Sequence, residues 1–153
     1  MTYKDWCDEH AKKHMQIIAK LEGKSRDEII AYFDYENMKK QEPNFCLLYA
    51  KNKKCHDMKH LNCYLCACPH FRFDDAGIKK IGEKTLYSFC SIHHKNGAVF
   101  ESDLALHQDC SNCIVPHKEN FVKKIFDKKW NNVMKDSFFI GNHKEKMDEK
   151  NIN

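Results

Sequence analysis

Glycine and proline are scarce in this chain, which contains five and three of them among 153 residues. Frequent glycine and proline mark turns and disordered linkers, so their scarcity predicts that most of the chain is ordered. Long apolar runs are also missing: no stretch approaches the roughly 20 apolar residues that a membrane-spanning helix needs. The N-terminus is charged and lacks the apolar core of a signal peptide. These absences predict a cytoplasmic protein that does not contact a membrane.

The motifs of several common enzyme classes are absent as well. The sequence has no glycine-rich phosphate loop, no Ser/His/Asp order and no paired carboxylates in a suggestive arrangement. Its formal net charge of +4 is compatible with a nucleic-acid partner but does not by itself argue for one. These absences favour a protein without catalytic activity and leave an enzyme as the alternative.

Cysteine, in contrast, is abundant, with nine residues. Cytosolic thiols stay reduced, so a disulfide framework is disfavoured and metal ligation is favoured. Two Cys-x-x-Cys pairs stand out, Cys63/Cys66 and Cys110/Cys113. The turn within such a pair aims both sulfurs at one point, so each pair is predicted to share one metal ion. Cys68 follows the first pair so closely that it could bind the same ion or a second one.

The N-terminal segment has the pattern of a helical hairpin. Apolar residues at helical spacing predict a helix over 2–22, and a capping box predicts a second helix over 26–39. Cys7, His10 and His14 share one stripe of the first helix and could point together at a metal. The pattern favours another interpretation, in which a small buried thiol lies beside two partly exposed imidazoles.

The middle of the chain, residues 44–117, holds eight of the nine cysteines and seven of the ten histidines. Its apolar runs are short, so we expect bound metal to supply order that burial of apolar surface cannot. Two strands are predicted over 85–92 and 98–102, joined as a hairpin by a turn at 95–97. Residues 103–108 are predicted to form one or two helical turns.

Beyond the second cysteine pair, apolar residues repeat at helical spacing and predict one amphipathic helix over 117–134. Its polar face carries Lys123, Lys124 and Lys128, which are predicted to be solvated, with contact to nucleic acid as the alternative. The chain is thus expected to be a small metal-stabilised α+β protein in three parts. These are a helical hairpin over 1–43 that packs on the core, a cysteine-rich metal-binding domain with zinc knuckles over 44–140, and a flexible tail over 141–153.

The cysteine pattern resembles that of a known family. Cys46, Cys55 and two runs, Cys-Tyr-Leu-Cys-Ala-Cys-Pro over 63–69 and Cys-Ser-Asn-Cys-Ile-Val-Pro-His over 110–117, are similar to the "cysteine-rich small domain" family of bacteria and archaea. The resemblance covers roughly residues 44–121 and implies a metal-binding module with no settled reaction. It implies that the family's metal-site positions are Cys46, Cys55, Cys63, Cys66, Cys68, Cys110, Cys113 and His117.

Two four-thiolate sites, or two sites in which a histidine replaces a thiolate, would account for most of these donors. Zinc suits such sites best, and an iron–sulfur cluster is the alternative. Cys90 is as suited to be a free buried thiol as a ligand, and His93 and His94 are either solvated or candidates for proton transfer. The full set of candidate ligands is Cys46, Cys55, His56, Cys63, Cys66, Cys68, Cys90, Cys110, Cys113 and His117.

The function predicted from the sequence is that of a metal-binding module. In this interpretation the metal is structural, because the ligands are more numerous than the three that an open catalytic zinc site uses. The module would then mediate interaction with a protein partner. A metal-dependent or iron–sulfur enzyme that acts on a small molecule is the alternative.

Overall fold

The computed structural model describes residues 2–137, which form a small α+β fold, as predicted. The helices are α1 (Tyr3–Lys20), α2 (Arg26–Tyr32), α3 (Tyr35–Gln41), α4 (Glu119–Ile125) and α5 (Trp130–Val133), with short 3-10 turns at Tyr49–Lys51 and Val115–His117. The strands are β1 (Phe71–Phe73), β2 (Lys80–Ile81), β3 (Lys84–Leu86), β4 (Ser88–Cys90), β5 (Ala98–Glu101) and β6 (Ala105–Asp109). The tail predicted over 141–153 lies outside the described residues. Within residues 2–137, no helix combines the length and apolar character needed to cross a membrane.

Helix α1 is fixed at its N-terminus by two sets of hydrogen bonds. The Thr2 hydroxyl accepts from the Asp5 backbone N–H at 3.1 Å, and the Asp5 carboxylate accepts in return from the Thr2 N–H, which forms a capping box. The Asp75 carboxylate accepts from the N–H groups of Tyr3 and Lys4 at 3.2 and 2.8 Å. This second contact ties the first helix to the loop after β1, 71 residues further along the chain.

The single helix predicted over 26–39 is wrong, because the chain breaks at Phe33 and Asp34 into α2 and α3. The Asp34 side chain caps α3 by accepting from the Glu36 N–H at 3.2 Å. The freed Phe33 carbonyl accepts from the Cys63 N–H at 2.8 Å. In a continuous helix the Phe33 carbonyl would accept from an N–H of the next turn. The break leaves it to accept from Cys63, the first residue of the Cys63/Cys66 pair.

The strands form two small sheets, a β1–β4 pair and a four-stranded sheet in the order β2-β3-β6-β5. The predicted strand at 98–102 is confirmed as β5, but the predicted hairpin partner is wrong. β5 pairs with β6, and β4 pairs with β1. The helical turns predicted over 103–108 are also wrong, because this segment forms β6. A tight turn explains the pairing: the Ser102 hydroxyl accepts from the Ala105 N–H at 3.2 Å and returns the chain beside β5.

The helix predicted over 117–134 is interrupted too. α4 ends at Ile125, Phe126 has extended backbone angles, and α5 begins only at Trp130. The Asp127 carbonyl accepts from the Tyr64 hydroxyl, so the segment between α4 and α5 packs on the residue that follows Cys63. Lys128 lies in this gap, so no single helical face presents the three predicted lysines.

Two apolar clusters join the helices to the cysteine-rich segment. The larger one packs α2, α3 and Val122 of α4 around Phe33, Tyr64 and Leu65, which are completely buried. The second combines Cys7 and Ala11 of α1 with neighbours far along the chain, Ala67, Phe73, Trp130 and Met134. The N-terminal helices therefore share one core with the cysteine-rich segment.

Candidate metal centres

One group of described residues has the spacing of a metal site. The Cys55 sulfur and one nitrogen from each of His56 and His117 all lie within 4.8 Å of one another, and no other set of three Cys, His, Asp or Glu donors between residues 2 and 137 does so. The Cys55 sulfur is 3.1 Å from His56 Nδ1 and 3.4 Å from His117 Nε2. The fold brings His117 to Cys55 from 62 residues away, through the 3-10 turn at Val115–His117.

Both imidazoles of this group are oriented by backbone carbonyls. His117 Nδ1 lies 2.9 Å from the Asn62 carbonyl, and His56 Nε2 lies 3.0 Å from the Cys110 carbonyl. A carbonyl oxygen only accepts, so these nitrogens carry the protons. In each histidine the other ring nitrogen, which can bind a metal through its lone pair, is the one that lies next to the Cys55 sulfur. Histidines that ligate metals are held in this way, with the second ring nitrogen donating to a carbonyl or carboxylate.

Burial sets the protonation of two members of the group. Desolvation lowers the pKa of His117 to about 4, so its ring is neutral near pH 7. The Cys55 residue lies at the surface, but its sulfur turns inward towards the two rings. This burial of the sulfur, together with the smaller effect of the nearby thiols, raises the pKa of the Cys55 thiol to about 11. A cation between the three donors would reverse the effect on the thiol, because a coordinating thiol is deprotonated.

Three further thiols adjoin Cys55. Cys46, Cys63 and Cys66 interact electrostatically with Cys55 and with one another around the buried ring of Tyr49. A hydrogen bond between the Cys63 and Cys66 side chains lowers the pKa of Cys63 and raises the pKa of Cys66. The predicted Cys63/Cys66 pair is therefore brought together next to the Cys55 group.

The remaining four candidate cysteines line a cavity of about 180 Å³, and His56, Cys66 and His117 of the first group line another part of its wall. Cys68 precedes β1, Cys90 ends β4, Cys110 follows β6, and Cys113 lies one turn further. The register of the β1–β4 pair places Cys90 opposite Phe71, and thereby beside the segment that carries Cys68. The Cys113 N–H donates to the Cys110 carbonyl at 3.1 Å, which forms the expected tight turn of the second pair.

Sequence reasoning missed two residues that shape this cavity. The Gln108 side-chain carbonyl accepts from the Cys90 N–H at 3.0 Å, and Gln108 packs directly on Gly97. Tyr3, at the start of α1, closes another side of the cavity. Neither residue belongs to a motif, and only the tertiary fold brings them to the cysteines.

Of the other candidates, His94 contacts the cavity cysteines, whereas Cys7, His10, His14 and His93 do not line the cavity. Cys7, His10 and His14 are all buried, so the expectation of partly exposed imidazoles is wrong, and their neighbours are aromatic rings such as Trp130. His93 is exposed, whereas the ring of His94 reaches the cavity edge with Nδ1 at 3.6 Å from the Cys113 sulfur.

The three lysines of the predicted basic helix differ in their surroundings. Lys124 and Lys128 are exposed, and Lys123 pairs with Glu119 at 3.6 Å. A surface ion pair of this kind contributes little to stability. Contact with nucleic acid through these lysines stays a prediction.

No family model, curated protein or solved structure matches this chain. The similarity to the cysteine-rich small domain family therefore stays a prediction that rests on the cysteine pattern alone.

Proposed function

We propose that this chain is a metal-binding protein in which Cys55, His56 and His117 bind one structural zinc ion. The main observation behind it is that two imidazoles, each held through one ring nitrogen by a backbone carbonyl, direct the other ring nitrogen at the Cys55 sulfur. Zinc accepts mixed cysteine and histidine ligands in tetrahedral geometry and has no redox chemistry of its own in such sites. One of the neighbouring thiols, Cys46, Cys63 or Cys66, would supply the fourth ligand.

A structural role follows from what the ion would connect. Cys55 and His56 lie in a segment without helix or strand, and His117 lies in a single 3-10 turn. Such segments bury little apolar surface and gain order when a metal links them. Binding of structural zinc contributes about 10–16 kcal/mol in small zinc domains, which is comparable with the roughly 5–15 kcal/mol of net stability of a whole domain.

The stabilised fold presents an exposed apolar edge that supports the proposed interaction role. All four residues of the edge strand β5 are exposed, and Val99, Phe100 and the nearby Leu104 expose 55%, 60% and 76% of their surface. Exposed apolar residues that lie together on an edge strand are typical of contact with another protein.

Zinc content and zinc coordination test the proposal. Protein purified without added chelator should contain zinc by elemental analysis, and X-ray absorption at the zinc edge should show nitrogen ligands as well as sulfur. His117→Ala should lose this zinc. His60→Ala is the matched control, because His60 is an exposed histidine of the same cysteine-rich segment and lies outside the group.

Two results would contradict the proposal. The first is a zinc coordination shell in the wild-type protein that contains sulfur alone. The second is a His117→Ala protein that retains zinc as tightly as the His60→Ala control does in competition with a chelator. The first measurement does not depend on whether the variant folds.

A further inference from the structure

We propose that the four cysteines Cys68, Cys90, Cys110 and Cys113, which line one cavity, form a second metal centre that binds an iron–sulfur cluster. The cavity has a volume of about 180 Å³ and lies between β1, β4 and the turn of the second cysteine pair. Four cysteine thiolates are the usual ligands of both two-iron and four-iron clusters. The proposal concerns different donors from those of the zinc site and does not depend on it.

The eight cysteines of the metal-site segment fall into two neighbouring groups of four by their electrostatic interactions, and Cys66 of the first group also reaches the cavity wall. Cys68 and Cys110 each interact electrostatically with Cys90 and Cys113, and Cys68 also interacts with Cys110. The thiols near Cys55 form the other group. Cys90 completes the second set of four, although it belongs to no Cys-x-x-Cys pair.

The spacing of the sulfurs separates a cluster from a single zinc ion. Four sulfurs around zinc lie about 3.8 Å apart, because Zn–S bonds are about 2.3 Å long at tetrahedral angles. In the part of the chain that the structure describes, only the Cys55 group brings three donors within 4.8 Å of one another, so the cavity thiols are spaced more widely. An iron–sulfur cluster has several atoms between its four thiolates and therefore needs such spacing.

The volume of the cavity leads to the same conclusion. A cavity needs roughly 10–15 Å³ on this measure to hold one water molecule. The whole cavity, which extends from the four cysteines to His56 and His117, has about 180 Å³ and is thus many times larger than the space at the centre of four zinc-bound sulfurs. A group of several heavy atoms would fill it.

The walls of the cavity suit a thiolate-bound cluster. Phe71, Ile92, Val115 and Pro116 supply apolar surface that limits access of water. The His70 N–H donates to the Cys68 sulfur at 3.4 Å. Hydrogen bonds to the sulfurs and restricted solvent exposure are the features by which proteins tune such clusters.

The chemistry of assembly involves no change in the protein beyond deprotonation. Each of the four thiols loses its proton to solvent and forms one bond from sulfur to iron. Iron and sulfide are supplied from outside, either as the preformed cluster or as sulfide with ferrous and ferric ions in the ratio that the cluster contains, so that no electrons are gained or lost.

Anaerobic reconstitution of the full-length protein tests the proposal. The purified protein is incubated with iron and sulfide under reducing conditions and then desalted. We expect a brown protein that absorbs broadly near about 400 nm and contains iron and acid-labile sulfide in equal amounts, two or four of each per chain. A colourless protein without iron or labile sulfide, or one that fills this cavity with zinc alone, would overturn the proposal.

Single variants then assign the ligands. Cys90→Ala should lose most of the iron and sulfide, whereas Cys7→Ala, a buried cysteine outside both groups, should retain them. Cys55→Ala should lose zinc but retain the iron and sulfide, which separates failure of this proposal from failure of the zinc proposal. Far-UV circular dichroism identifies any variant that is unfolded. Full retention of iron and sulfide in a folded Cys90→Ala protein would also overturn the assignment.

Discussion

Asn62 supports the first metal centre from inside the core, and replacing it with alanine should strongly destabilise the protein. The residue is only 5% exposed. Its amide nitrogen donates to the Ile30 carbonyl at 2.8 Å, and its amide oxygen accepts from the Tyr64 N–H at 2.9 Å. Its backbone N–H donates to the His117 carbonyl at 3.0 Å, and its backbone carbonyl accepts from His117 Nδ1 at 2.9 Å.

The expected magnitude follows from the two side-chain hydrogen bonds. Asn62→Ala leaves the Tyr64 N–H unsatisfied in the core, at about 1–3 kcal/mol, and removes one hydrogen bond of the Ile30 carbonyl, at about 1 kcal/mol, although that carbonyl still accepts from the Phe33 N–H at 3.1 Å. We expect the free energy of unfolding to fall by about 3 kcal/mol and the melting temperature by about 8–15 °C. The backbone bonds to His117 do not involve the side chain, so the folded variant should still bind zinc.

Urea denaturation of the zinc-loaded protein measures this effect. Asn37→Ala is the matched control, because Asn37 is only half-buried and its side chain makes one hydrogen bond, to the Tyr32 carbonyl at 2.7 Å. Water can replace that bond, so the control should cost about 1 kcal/mol. If Asn62→Ala destabilises the protein no more than Asn37→Ala does, the hydrogen bonds of the buried Asn62 amide do not stabilise the fold around Tyr64.

Three further predictions concern pH, packing and the isolated thiol. Burial lowers the pKa of His10 to about 4 and of His14 to about 3, so the folded state binds fewer protons than the unfolded state below pH 6.5. These two histidines should therefore lower the free energy of unfolding by about 3 kcal/mol between pH 6.5 and pH 5. About half of that contribution should disappear in His14→Leu, and equal losses in urea titrations of both proteins would contradict this. A Cβ on Gly97 would lie 2.6 Å from the Gln108 amide nitrogen, so Gly97→Ala should lower the melting temperature by about 5 °C. Adding Gln108→Ala to this variant should restore part of the lost melting temperature. No recovery in the double variant would show that the clash is not the cause. Cys7→Ala should leave the zinc content unchanged and cost about 1 kcal/mol in urea denaturation, and loss of a full equivalent of zinc would assign Cys7 as a ligand.

Local sequence signals predicted the parts of the fold that depend on local interactions. The apolar stripe of α1 and the capping box at Ser25 both correspond to observed helix starts. The predictions that failed depend on distant residues. α2 and α3 separate where Phe33 pairs with Cys63, and the final helix is interrupted where Tyr64 contacts Asp127. Helical periodicity continues across both breaks, so the pattern alone could not locate them.

The candidate metal sites show the same difference between what local sequence predicts and what depends on distant residues. Residue type and spacing identified Cys55, His56 and His117 as candidate ligands, and the structure brings these three together. The division of the cysteines into two groups was not predictable, because it depends on which strands pair. The position of Cys90 shows this most clearly: the sequence placed its strand against β5, whereas pairing with β1 brings Cys90 to Cys68.

The packing of α1 has a consequence for synthesis of the chain. This helix is complete after 20 residues, but its apolar face packs on Phe73, Trp130 and Met134. On the ribosome residues are added at about 5–20 per second, so several seconds pass between synthesis of α1 and synthesis of the residues that cover its apolar face. His117 is synthesised well after Cys55 and His56, so the proposed zinc site lacks one of its ligands during that interval. During this interval the apolar face of α1 and the reduced thiols are exposed together, and this nascent state is the one most open to aggregation and to capture of the wrong metal.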